Sequence, residues 1–305
     1  MTIDLFSLRC FVAVAETQHF GNAARALFVS QAQLSKRIRD LESELGAVLL
    51  ERTTRSVGLT EVGAEVLVEA RQVLSHISAM EEKARRAVRG EIGTLALGVV
   101  GSVTFTLLPR IMRVLRQELP GVDVSIRAEL LTPEQERMLH GHEIDMGILR
   151  LPVRSSGLTW RVIDRDPLMA AVPRDHRLAR LDEPVDATEF RDEPMVIYPR
   201  TSGSVVGEAV VRQCARAGFE PNVAVEVTDT STMLGLVSAG IGIALVPSSA
   251  SRLAVEDVVM RQIRHPEMVE IAVAWRENDT SPLLRSCLSA LRESGTFLEP
   301  GPPPA

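Results

Sequence analysis

The strongest constraint on this chain is the run from Thr60 to Arg89, where Val62, Val66, Ala70, Val73, Ile77, Met80, Ala84 and Ala87 recur in steps of four and three. That spacing predicts one helix with a single heptad-like apolar seam. At 1.5 Å per residue such a helix is about 42 Å long, too long to bury its stripe against the short segment before it. The simplest partner is a second copy of the same helix, giving a homodimer; the alternative is packing on the chain's own C-terminal part. Either way the helix separates two regions with different patterns.

The first region, 1–59, reads as three helices and a hairpin. Leu5, Leu8, Phe11, Val12 and Ala15 follow Asp4, a good N-cap. A short helix spans about Asn22 to Leu27, with Phe20 stapling its entry. Ser30 with Gln33 forms a capping box, so a new helix starts at Gln31, carries Leu34, Ile38, Leu41 and Leu45 on one stripe, and stops at Gly46. Two helices joined by a tight turn make a helix-turn-helix. The N-terminal end of the second would read base edges, so Ser30, Gln31, Ala32, Gln33, Ser35, Lys36 and Arg39 are the candidate DNA-reading residues. Gln suits adenine, and Lys or Arg suits guanine or phosphate. The plainer alternative is a solvated helix face. Val48 to Arg52 and Leu59-Thr60 flank a turn at 53–58. They predict a β-hairpin wing with Arg55 near its tip, placed for a phosphate or the minor groove. A dimer of such units matches a pseudo-palindromic double-stranded operator.

Charge argues mildly the other way. The 305-residue chain has a formal net charge of −6, whereas a small nucleic-acid binder is usually basic. The first sixty residues approach balance, so the acid excess lies downstream. Cys10, Cys214 and Cys287 are far apart in apolar stretches and read as buried thiols, with no CxxC or Cys/His cluster. No metal or cofactor is expected. His140 and His142 share a turn without a third ligand. The N-terminus has acid and arginine within its apolar pattern, and no apolar run approaches the roughly 20 residues needed to span a bilayer. A cytoplasmic protein without a membrane partner is therefore expected.

The sequence resembles the LysR-type transcriptional regulators, and the resemblance covers nearly the whole chain. The residues that carry it are Phe11-Val12-Ala13-Val14-Ala15-Glu16, Ala23-Ala24-Arg25-Ala26-Leu27, Ser30-Gln31 through Leu34-Ser35, Ile38-Arg39-Asp40-Leu41-Glu42, Leu45-Gly46, Leu49-Leu50-Glu51-Arg52 and Leu59-Thr60-Glu61-Val62-Gly63. This chain has Ala32 where the family often has Pro.

From Gly93 the pattern becomes α/β. Leu95–Val100, Asp123–Glu129 and Asp145–Leu149 read as strands, with a helix over about Thr104 to Glu118. Thr132, Pro133 and Gln135 suggest a second helix start, with Thr132 as N-cap and Gln135 closing a capping box. Such runs build a mostly parallel sheet whose ligands sit at the carboxyl ends of the strands. Ser102, Thr132 and Arg150 fall at that edge. Helix N-termini favour anions and Arg grips carboxylates bidentately, so a small carboxylate effector is expected. Plain helix capping for Ser102 and Thr132, and a surface ion pair for Arg150, are the alternatives.

A second lobe spans 166–264, with strands at Leu168–Val172, Met195–Tyr198, Val223–Val227 and Ile243–Val246. The chain returns at Val269–Trp275 and a last helix from about Ser281 to Ser294. The expected organisation is thus a winged helix-turn-helix (1–59), a linker helix (60–90), a two-lobed α/β domain (91–298; lobe I 91–165 and 265–298, lobe II 166–264) and a Pro-rich tail (299–305).

The resemblance implies that the C-terminal domain is similar to periplasmic solute-binding proteins. Its cleft would hold the effector against Ser102, Thr132, Arg150, Ser202, Ser204 and Val206. Val100-Gly101-Ser102, Leu107-Leu108-Pro109-Arg110, Ile197-Tyr198-Pro199 and Leu234 to Gly240 look like the branch controlling aromatic degradation. By that likeness the chain would be an activator responding to a muconate-like acid, acting as a homotetramer that contacts RNA polymerase. An enzyme is disfavoured, since no GxSxG, Walker, GxGxxG or HExxH pattern occurs. The first alternative is a LysR-type regulator of a different metabolic pathway; a solute-binding protein and a redox-sensing regulator are weaker alternatives.

Overall fold

The structure, a computed structural model, describes residues 3–52 and 57–298. By contacts it divides into two units, Met1–Arg85 and Arg86–Ala305.

In the N-terminal unit, α1 (Leu5–Thr17) starts where Asp4 accepts a hydrogen bond from the Phe6 amide. α2 (Phe20–Ala26) begins two residues earlier than its apolar pattern suggests. His19 makes the difference, because its ring accepts bonds from the Gly21 and Asn22 amides and so acts as the N-cap. α3 (Gln31–Leu45) carries the expected capping box and ends at Gly46 with φ +66°. β1 (Leu50–Arg52) pairs antiparallel with β2 (Val57–Leu59); Arg55 lies outside the described residues. The apolar stripes meet in one core that includes Phe11, Val14, Leu34, Ile38, Leu41 and Leu49. Each large side chain buried there contributes about 1.5–3 kcal/mol.

The long helix α4 runs Glu61–Val88. Its first turns belong to the N-terminal core: Gly63, Leu67 and Ala70 are buried. A Cβ on Gly63 would lie 2.0 Å from the Leu49 carbonyl oxygen, so only glycine allows this approach. Ala70 was read as part of the seam but faces its own domain instead. Val62, Val73 and Met80 remain exposed at 49, 42 and 63%.

The C-terminal unit is two lobes on a shared sheet. Lobe I holds β3 (Ile92–Val99), a 3-10 turn (Gly101–Phe105), α5 (Leu107–Glu118), β4 (Gly121–Arg127), α6 (Thr132–His140) and β5 (Met146–Arg150). β3 pairs parallel with β4 and β5. β6 (Leu158–Pro173) is one 16-residue strand. Its first part pairs with β11 (Met268–Arg276) in lobe I. Its second part pairs with β9 (Ala244–Pro247) and β10 (Val258–Gln262) in lobe II. The sequence reading found this strand only from Leu168 onward and missed β10. Lobe II adds β7 (Pro194–Ile197) parallel to β8 (Asn222–Glu226), with α7 (Val205–Arg216) and α8 (Thr230–Ser238). α9 (Pro282–Glu293) returns to lobe I and packs Leu284, Cys287 and Leu291 into its core. Among the described residues, no helix is long and apolar enough to cross a membrane, and no group of three or more potential metal ligands is found.

Candidate functional site

Two places gather the candidate residues. The first is the N-terminal end of α3. Gln31, Ala32, Lys36 and Arg39 are exposed and Ser35 is half-buried. Arg39 Nε donates to the Ser35 carbonyl at 3.3 Å, which leans it along the helix. Two expected readers are committed elsewhere. Gln33 Oε1 accepts from the Ser30 amide at 3.1 Å and from its hydroxyl at 3.0 Å, while Ser30 Oγ accepts from the Gln33 amide at 3.2 Å. The residues that start the helix are therefore turned back onto it. Arg37 is also occupied, paired with Asp4 at 2.8 Å and stacked over Phe6. Sequence reasoning gave no role to Phe28, in the turn before α3. It has φ +54° and is 96% exposed, an unusual position for a large apolar ring.

The second place is the cleft between lobes I and II. Its lining includes Ser102, Thr132, Arg150, Ser204 and Val206 from the sequence reading. Ser202 is not in that lining: its hydroxyl donates to the Pro199 carbonyl at 2.7 Å and accepts from the Ser204 amide at 3.3 Å. Ser204 caps α7 by accepting from the Gly207 amide. Thr132 is not a cap, because the cap residue is Leu131. Its hydroxyl instead donates to the Arg150 carbonyl at 2.8 Å and accepts from the Arg150 amide at 3.2 Å, tying α6 to the end of β5. Gln135 likewise makes no capping box; it is fully buried and donates to the Leu130 and Ile148 carbonyls.

Arg150 is 2% exposed and is not a free fork. Its Nη2 is 3.1 Å from Asp166 Oδ2 and 3.0 Å from Ser102 Oγ. Ser249 Oγ donates to Asp166 Oδ2 at 2.6 Å and Ser248 Oγ to Asp166 Oδ1 at 2.7 Å. Asp166 and the two serines come from the crossing strand and the far lobe, and sequence reasoning missed all three. A bidentate carboxylate clamp is thereby ruled out, since one side of the guanidinium already has its anion. Nη1 is buried without a hydrogen-bond partner among the described residues.

The lining contains two carboxylates, Glu129 on the loop after β4, not foreseen from sequence, and Asp229 at the start of α8. Burial raises the Glu129 carboxyl above its ordinary range, and the Asp229 charge adds to that. Burial also pushes Asp229 upward, but bonds from Ser231 and Thr232 outweigh it and hold the group below its usual range. Tyr198 completes the floor. Its hydroxyl is 2.5 Å from Thr230 Oγ1, and burial raises its ionisation above the ordinary value. The cleft is narrow and encloses about 430 Å³ of empty space, its open mouth included. Helices α6, α7 and α8 all begin at this cleft, where first-turn amides lack partners within their own helix.

Comparison with known proteins finds one family model over each part of the chain. Residues 5–64 match the bacterial regulatory helix-turn-helix protein family of lysR type, and residues 89–296 match the LysR substrate binding domain. The chain is 38% identical to the HTH-type transcriptional regulator AlsR of Bacillus subtilis, over 93% of each chain. It is 32% identical to a probable cat1 operon transcriptional activator of Acinetobacter lwoffii, over 95% of this chain and 96% of that one. The structure of full-length CbnR with its target DNA superposes with a TM-score of 0.80 at 28% identity, over 95% of this chain and 99% of that one.

Proposed function

This chain belongs to the LysR family of bacterial helix-turn-helix regulators, DNA-binding transcription factors rather than enzymes, and on that premise we propose that it activates an operon when a small effector enters the cleft of its C-terminal unit. The observation that carries the DNA side is the capped α3, which holds Gln31, Ala32, Ser35, Lys36 and Arg39 at its outer N-terminal end. The winged unit reads one half-site, and Arg55 adds a contact from the wing. Val62, Val73, Met80, Ala84 and Ala87 of α4 are exposed apolar or small side chains on a helix at heptad spacing. They support pairing with a second copy, and two such dimers would form the tetramer that meets RNA polymerase. Effector shifts the assembly only through different affinity for two arrangements of the lobes.

Activation has support in the similarity to a probable cat1 operon transcriptional activator. An aromatic-degradation operon is the reading implied by the sequence motifs around Ser102 and Leu234. Its muconate-type inducer fits the cleft poorly, because a second carboxylate would meet Glu129 or Asp229. The test is affinity for a duplex selected by the purified protein from random DNA. Lys36→Ala is expected to weaken binding to all sequences and lower the salt slope by about 1, and Gln31→Ala to cost about 1–3 kcal/mol at one base position. If both variants, and Arg55→Ala, bind the selected duplex as tightly as the parent at moderate salt, the reader assignment is wrong. Sedimentation of Met80→Glu tests the seam, with loss of the dimer as the expected result.

A further inference from the structure

We propose that the effector is a small zwitterion, one carboxylate and one ammonium a few bonds apart as in an amino acid, and not a dicarboxylate. The inference rests on the cleft being the effector site. It follows from how charge is distributed along the lining. The inner wall offers one uncommitted cationic donor, Arg150 Nη1, on a side chain 2% exposed. The opposite face of that guanidinium is neutralised by Asp166, so the inner wall can bind one carboxylate but not two. The first residues of α7, Val205 and Val206, line the same space, and helix N-termini favour an anion there.

Two side chains elsewhere in the lining carry the opposite sign. Glu129 comes from lobe I and Asp229 from lobe II, and they are close enough for their like charges to interact. The Glu129 carboxylate lies against Gly101, where a Cβ would come within 2.8 Å of its Oε2. Two carboxylates from opposite lobes repel across the cleft unless a cation sits between them. An ammonium bound there would join the lobes, and the carboxylate of the same molecule would reach Arg150. A dianion leaves one charge against Glu129 and Asp229, and a simple amine leaves Arg150 Nη1 unpaired. The narrow space also favours a molecule of few heavy atoms, admitted by parting the lobes.

The test is thermal-shift and calorimetric titration of the full-length protein. The panel contains the twenty common L-amino acids, and for each that binds, its deaminated acid and its decarboxylated amine; cis,cis-muconate is included. At least one amino acid is expected to raise the melting temperature by mass action, with its deaminated and decarboxylated forms at least roughly tenfold weaker. Glu129→Gln and Asp229→Asn remove charge at an exposed rim and at a cap that asparagine also fills. Each is expected to weaken the amino acid roughly tenfold or more while narrowing its advantage over the deaminated acid. Binding of muconate in preference to every amino acid, or no response to any amino acid at 10 mM, overturns the proposal. Thr228→Trp, a bulky change at an exposed lining position, separates the two readings. If it abolishes binding of muconate, the cleft stands and the zwitterion falls. If a ligand binds this variant unchanged, the cleft itself is the wrong site.

Discussion

The N-terminal end of α3 and the inner wall of the cleft use the same kinds of residue in opposite ways. At α3 the polar groups that matter are exposed, and those that build the helix, Ser30 and Gln33, are spent on each other. In the cleft, Arg150 is buried and three of its neighbours, Ser102, Asp166 and Ser249, share its charge. A surface reader is tuned by what it leaves free; a buried site is tuned by what it has already paired. The consequence is energetic. Removing a cation from α3 leaves no buried charge unpaired, whereas removing one member of the buried set leaves a charge without a partner.

The largest test of that contrast is Asp166→Ala, which strands Arg150 in the interior. It is expected to destabilise the C-terminal unit by about 3–5 kcal/mol, read as a lower midpoint in denaturant, while Lys36→Ala stays within about 0.5 kcal/mol of the parent. Equal stability of the two variants would remove the distinction between the regions. Next is Gly63→Ala, whose new methyl meets the Leu49 carbonyl at 2.0 Å. A loss of about 1–3 kcal/mol from the N-terminal unit is expected, and an unchanged thermal transition would show that α4 can back away from Leu49. Gln33→Ala sharpens the distinction within α3 itself. Because Gln33 serves the capping box, it is expected to cost about 1 kcal/mol of stability and to leave sequence preference intact; a change in preferred bases would mean that the side chain leaves the cap on DNA. The smallest effect concerns the thiols. Burial raises Cys10 and pushes Cys214 and Cys287 to about 11, so none is expected to react with a thiol reagent at pH 8 until denaturant is added. Rapid labelling of the native protein would reopen a redox role.

What the sequence made legible was local. The Ser30–Gln33 box and Gly46 are readable because each acts within four residues. The same logic misplaced Thr132, where a capping-box pattern is present but the hydroxyl finds the end of β5, 18 residues away. Arg150 could be placed at the sheet edge from sequence, yet its bonded state could not, since Asp166 is 16 residues away and Ser249 is 99. Glu129 was invisible for the same reason: only folding brings this loop of lobe I and the helix cap Asp229 of lobe II to one space. The first half of β6 went unread because Arg161, Asp164, Arg165 and Asp166 interrupt its apolar alternation. In the fold those side chains stand on a strand whose backbone is satisfied by β11.

That strand also limits how the protein can respond. At about 3.3 Å per residue, β6 is a shaft of roughly 50 Å, held by β11 along its first part and by β9 and β10 along its second. Sliding it by one residue would turn every side chain to the wrong face, so neither lobe can travel along it. What remains is torsion. The extra residue near Ile163, where the register with β11 shifts, gives the shaft a local point of twist. A molecule gripping both lobes would work this shaft as a key works a lock, by rotation rather than translation.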